Sequence, residues 1–186
     1  MSYATIDDLR EYLGLTESDH DALLDRLLDS AQKYIETQTG RTFEASADST
    51  RYLDASAILL RDLWLDADLC AITSVTNGDS VVIAGTNYTT RPRNLTPYYA
   101  LRMDTDSAYA WDGTTGEIAI VGKWAYSTTA PYDIQQATIR LAGWLYRQRD
   151  NAGEGDRPII AGNATVLPSR MPADIEALIA PYRVRV

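Results

Sequence analysis

Helical periodicity occupies both ends of this chain and is missing from the middle, and that alternation constrains the fold more than any single residue. From about Asp19 to Thr39, the residues Leu23, Leu24, Leu27, Leu28, Ala31, Tyr34 and Ile35 recur on one face at 3.6-residue spacing. Gly40 follows, a residue suited to the left-handed position that ends a helix. A shorter helix precedes this one, over Thr5–Gly14. Thr5 with Asp8 has the spacing of a capping box, and Asp7 and Asp8 suit the positive helix start. Periodicity resumes at Pro131, which a first turn tolerates. It runs to Arg149, with Ile134, Ala137, Leu141, Trp144 and Leu145 as the apolar stripe. A last short helix spans about Pro172–Ile179, and Pro181 stops it.

Between residues 43 and 126 the composition shifts to Thr, Val, Ile, Tyr and turn residues. Ile72–Thr76, then Asn77-Gly78-Asp79, then Ser80–Ile83 reads as a hairpin closed by a primed turn. Tyr88–Thr90, Tyr98–Met103 and Gly116–Val121 read as further strands, and Asp112-Gly113 as a turn. Strands so close in sequence favour antiparallel pairing. The fold class expected is α+β, a small helical bundle of N- and C-terminal helices with a central antiparallel β-rich insertion. A single domain is expected over 1–186. It divides into N-terminal helices (1–43), insertion (44–126), long helix (127–150), and a loop, short helix and C-terminal tail (151–186).

The chemistry-bearing residues exclude whole classes of function. With one cysteine (Cys70) and one histidine (His20) in 186 residues, neither an internal disulfide nor a Cys/His zinc site can form. Any catalytic triad would have to use His20, which sits in a polar helix start. No P-loop or Gly-x-Gly-x-x-Gly opens a helix after a strand, and no Gly-x-Ser-x-Gly elbow occurs. Counted from Asp104, a calcium loop would need Gly at 109 and Glu at 115, where the chain has Tyr109 and Thr115. Asp66-Ala-Asp68, like Asp104-Thr-Asp106, has the acid spacing of a calcium loop, which leaves an irregular oxygen-ligand cation site as an alternative, whereas the row Asp21, Asp25, Asp29 reads as solvated or partner-facing acids. The expectation is no catalytic residue, no cofactor and no metal. No run of about 18 apolar residues is present, so no membrane span is expected. The first residues lack a secretory pattern, which leaves the sequons at Asn87, Asn94 and Asn163 without expected meaning.

Charge is unevenly spread. The formal net charge is −9; residues 1–80 carry 16 acids and 6 bases, whereas residues 81–186 carry 10 acids and 11 bases. Gripping a nucleic acid takes clustered Lys and Arg, so a chain this acidic suits a surface that DNA slides past. The four Trp and twelve Tyr read as core or interface residues, with sugar stacking as an alternative use.

Three stretches, in this order and spacing, resemble the head–tail connector, or adaptor, proteins of long-tailed bacteriophages and related prophages. The first runs from Ala4-Thr-Ile-Asp-Asp-Leu-Arg-Glu-Tyr-Leu-Gly14 through Asp21–Ala31 to Ile35-Glu-Thr-Gln-Thr-Gly-Arg-Thr-Phe43. The second is Gly116–Tyr126, continuing into Pro131-x-Asp-Ile-x-Gln-Ala137 and Trp144-Leu-Tyr-Arg147. The third is Leu167-Pro168 followed by Pro172–Arg183. Compact members have little in place of residues 44–115. The resemblance implies a structural virion protein of the neck, assembled in the host cytoplasm, with no catalytic residues to carry over. It implies a homo-oligomeric ring of about twelve subunits beneath the portal protein. That ring would extend the channel for duplex DNA, which passes without specific binding, and would receive stopper or tail proteins. A stopper or tail-completion protein and a carbohydrate-binding or carbohydrate-active module are the alternatives.

The expected partner-binding residues are Tyr182, Arg183, Val184, Arg185 and Val186. Arginine and valine alternate there with period two, the segment holds no acid, and Pro181 turns it out of the helix. Such a segment can add a strand to an exposed sheet edge on the portal or on a neighbouring subunit.

Overall fold

The computed structural model describes residues 3–16, 18, 20–150, 159–161, 164–166 and 172–184. The chain divides into two compact units, one formed by residues 1–40 and 131–186, the other by residues 41–130.

The helical unit contains α1 (Ile6–Leu13), α2 (Asp21–Thr39), α3 (Tyr132–Asp150) and α4 (Ala173–Ile179), with a short hairpin of β8 (Ile159–Ala161) and β9 (Ala164–Val166). Apolar periodicity gave no sign of that hairpin. The expected loop at 150–158 lies almost wholly outside the described residues. At the start of α1 the capping box is complete. The Asp8 N–H donates to Thr5 Oγ1 at 3.1 Å, and the Thr5 N–H donates to Asp8 Oδ2 at 2.9 Å. Gly14 and Gly40 close α1 and α2 at φ of 70° and 69°, where a Cβ would crowd the following carbonyl.

Leu24, Leu28, Ala31 and Ile35 are buried along α2, which packs against α3. Tyr34, expected on that apolar face, is exposed. On α3 the buried face is Ile134, Ala137, Thr138, Leu141, Ala142 and Tyr146, while the expected Trp144 and Leu145 are half-buried. The stripe is rotated because α3 meets α1, α2 and α4 at once, and Thr138 enters the core by donating its hydroxyl to the Ile134 carbonyl at 2.8 Å. Bidentate bonds from Arg10 to Asp21, at 2.8 and 2.9 Å, join α1 to α2. Arg140 to Asp174 at 2.8 Å joins α3 to α4.

The second unit is two antiparallel sheets. One has the order β1 (Ser49–Leu53), β7 (Ile118–Lys123), β4 (Ala71–Thr76). The other runs β2 (Ile58–Leu59), β3 (Asp62–Leu69), β6 (Tyr98–Met103), β5 (Tyr88–Arg91). Leu53, Val75, Ile118 and Ile120 of the first share one apolar cluster with Leu63, Leu69, Leu101 and Met103 of the second. Trp111 and Trp124 close it, and each indole N–H is satisfied by a backbone carbonyl, of Arg61 at 3.0 Å and of Ser49 at 3.1 Å.

The hairpin after β4 corrects the sequence reading. Ser80 N–H donates to the Asn77 carbonyl at 2.9 Å, Asn77 N–H donates to Val81 at 2.8 Å, and the left-handed residue is Ser80 at φ 67°. That is a three-residue loop ending in a left-handed residue, not a two-residue primed turn. The returning segment Ser80–Ile83 makes a single bridge, Thr76 to Val82, plus the Ile83 N–H to Val75 bond at 2.9 Å. Asn77 is buried and acts elsewhere: its Nδ2 donates to the Ala110 carbonyl at 3.0 Å and its Oδ1 accepts from the Asp112 N–H at 2.9 Å.

Candidate functional site

Of the expected tail residues, Tyr182–Val184 fall within the described residues and Arg185 and Val186 outside them. Ala180–Tyr182 forms a 3-10 turn that continues α4, and Arg183 is extended. The Val184 N–H donates to the Thr39 carbonyl at 3.0 Å, satisfying one of the carbonyls left open at the end of α2. Tyr182 donates its hydroxyl to Asp133 at 3.4 Å, and Arg183 reaches Glu176 at 3.3 Å. The segment through Val184 is thus seated on its own helical unit, with exposed Arg183 and Val184 side chains.

The acids singled out in the sequence are largely used in ion pairs. Asp68 accepts from Arg41 at 2.6 Å and Asp66 from Arg51 at 3.0 Å, both within the second unit. Those two acids alternate on β3 with Leu65, Ala67 and Leu69, a period-two pattern that marks a strand, where the sequence reading considered a calcium loop. Asp21 is held by Arg10, so the row on α2 is reduced to Asp25 and Asp29, both exposed. His20 occupies the position before α2 without capping it, its ring edge-on to Tyr146 at 6.1 Å. The Cys70 thiol donates to the Lys123 carbonyl at 3.4 Å, and burial pushes its pKa up. Such a thiol stays protonated and unreactive near neutrality. Among the described residues no group of His, Cys, Asp and Glu could hold a metal ion, and no helix is long and apolar enough to cross a membrane.

One feature that the sequence reading missed is the outer face of the four-stranded sheet. The strand register sets Leu59, Asp62, Arg102 and Thr89 in one row and Trp64, Ala100 and Arg91 in the next. The pair Leu63 and Leu101 lies on the opposite, buried face. Leu59 is 60% exposed, Trp64 46% and Tyr99 48%. The Trp64 and Tyr99 rings stack 5.5 Å apart at 24°. Asp62 accepts both Arg102 bonds, at 2.7 and 2.6 Å, with Arg91 at 3.8 Å. Hydrogen bonding from Arg102, against the opposing effect of burial, holds the Asp62 carboxyl below the usual range. The alternation of β3 could have signalled this face, since Asp62, Trp64 and Asp66 share one side of the strand.

The fold is thus α+β, a helical unit interrupted in sequence by a two-sheet insertion. Residues 3–66 match the model of the Phage gp6-like head-tail connector protein family. The fold matches a chain in the neck of an empty gene transfer agent particle computed with C6 symmetry, at TM-score 0.63 and 21% identity, over 99% of this chain and 91% of that one. It matches a chain of the virion of a native gene transfer agent particle with the same values. A chain in the neck of the native particle computed with C12 symmetry matches at TM-score 0.60 and 20% identity, over 97% and 89%. No curated protein matches. The head–tail connector resemblance and the α+β fold class read from the sequence are both borne out.

Proposed function

We propose that this chain is a structural head–tail connector of a phage-type particle, residing in the virion neck. It assembles as a ring of about twelve copies beneath the portal protein, continues the DNA channel, and receives stopper or tail proteins below. The observation that carries this reading is the connector-family match over residues 3–66, and the neck folds spanning nearly the whole chain support it. The function is one of assembly, with no catalytic step. Twelve acidic copies would set up a strong negative field, so duplex DNA passes without adhering or being read.

Tyr182–Val186 forms part of the portal-facing or neighbour-facing contact. Its support is the exposed, basic Arg183 and the extended backbone there, beside the alternating Arg and Val pattern.

Native mass spectrometry of the purified protein with its portal protein tests the reading. A complex with a defined ring of this chain on the portal is expected. A protein that stays strictly monomeric and ignores the portal would refute it.

A further inference from the structure

Copies that each carry a net charge of −9 repel one another, so a ring of them needs a local surface where opposite charges meet. The outer face of the four-stranded sheet supplies one side. Residues 85–103 contain Arg91, Arg93 and Arg102 and no acid. On the face itself Asp62 sits beneath two guanidiniums, those of Arg91 and Arg102, while Asp66, on the same side of β3, is paired with Arg51, so positive charge is in surplus. Leu59 and the stacked Trp64 and Tyr99 add exposed apolar area beside that charge. Tryptophan, tyrosine and arginine are the residue types that most often carry binding energy at protein interfaces.

The other side is on α2. Asp25 and Asp29 are exposed one helical turn apart. Asp21, the third acid of the row, is already neutralised by Arg10. Asp25 and Asp29 have no ion-pair partner among the described residues.

We propose that the outer sheet face of one copy, centred on Trp64, Arg91 and Arg102, receives the Asp25/Asp29 face of α2 from a second copy. Each copy offers both surfaces, so the contact is head-to-tail. Head-to-tail contacts close into rings when the rotation between copies permits. This rests on the ring reading above and names the surfaces that make the ring.

The test uses the full chain and two variants, one with Trp64→Ala and Arg91→Ala, the other with Asp25→Arg and Asp29→Arg. Assembly is followed by native mass spectrometry and sedimentation velocity, with and without portal protein, and folding by circular dichroism. Wild-type protein forms rings. Each variant alone stays folded and associates at least tenfold more weakly. Mixed one to one, the variants retain one intact sheet face and one intact α2 face per pair, so they form heterodimers that stop at two. If the first variant melts early, Trp64→Ala alone, which alters only an exposed side chain, replaces it. Rings formed as readily by both variants, or variants that fail alone and also fail to pair when mixed, would overturn the interface while leaving the ring reading intact. Wild-type protein that never assembles would overturn both.

Discussion

Gly78 lies directly against the backbone of Asp112: its N–H donates to the Asp112 carbonyl at 3.0 Å, and a Cβ built at Gly78 would stand 2.3 Å from that oxygen. The same Cβ would be 2.3 Å from the Gly116 carbonyl. Both obstacles are main-chain atoms, which cannot swing aside as a side-chain tip can. Gly78→Ala should therefore destabilise the second unit by about 1–3 kcal/mol, the usual range for overpacking. Chemical denaturation of the variant checks this; an unchanged midpoint would show that the 110–116 segment yields.

Leu60 should respond in the opposite sense. It sits at φ 58° in the turn between β2 and β3 and is 92% exposed. A left-handed backbone costs an L-residue roughly 1–2 kcal/mol, and glycine avoids the cost. Leu60→Gly should raise stability by about 1 kcal/mol, read as a higher melting temperature.

In the helical unit Leu28 and Leu141 are 1% and 3% exposed. Truncation of either to Ala should cost about 2–5 kcal/mol through lost burial and a residual cavity. The matching change at exposed Tyr34 should cost far less. Equal losses at all three sites would mean that Tyr34 is covered in solution.

Acid sensitivity follows from Asp8 and Asp62. Hydrogen bonding from the Thr5 hydroxyl and then its N–H holds the Asp8 carboxyl low, and Arg102 does the same for Asp62. Both folded-state values lie below those of the unfolded chain. Their stabilising contribution is thus complete above about pH 5 and is lost as pH falls through the folded values. Asp62→Asn should lower the melting temperature at pH 7 and make its decline between about pH 5 and pH 3 shallower. A parallel decline in variant and wild type would remove Asp62 from the account.

Deleting Arg183–Val186 separates two roles. It removes the Val184 bond to Thr39 at the end of α2, so a loss of about 0.5–1.5 kcal/mol is expected with helicity retained. Portal binding should fall at least tenfold, about 1.4 kcal/mol. Unchanged portal binding would leave the segment as a helix cap only.

The helices and their ends were legible in the order of residues. The Thr5–Asp8 box, Gly14, Gly40 and the Leu24–Leu28–Ile35 face are set by contacts three or four residues apart, which the order of residues displays directly. The same holds for β6, where aromatic and branched residues stand between turn signals. The connector resemblance was legible too, because it lies mostly in those helical stretches.

What the middle of the chain does with its residues depends on contacts that form only on folding. Asn77-Gly78 carries a turn signal, yet its tight packing depends on a loop more than thirty residues away, and glycine is needed there for close approach. Asp66 and Asp68 have the spacing of a cation loop until folding brings Arg51 and Arg41 to them. Trp64 and Arg91 share an exposed face only because β3, β6 and β5 pair in one register, and a shift of one residue would turn that face inward. Local patterns report on neighbours along the chain; sheet faces and charge pairing are fixed by partners that sequence distance does not reveal.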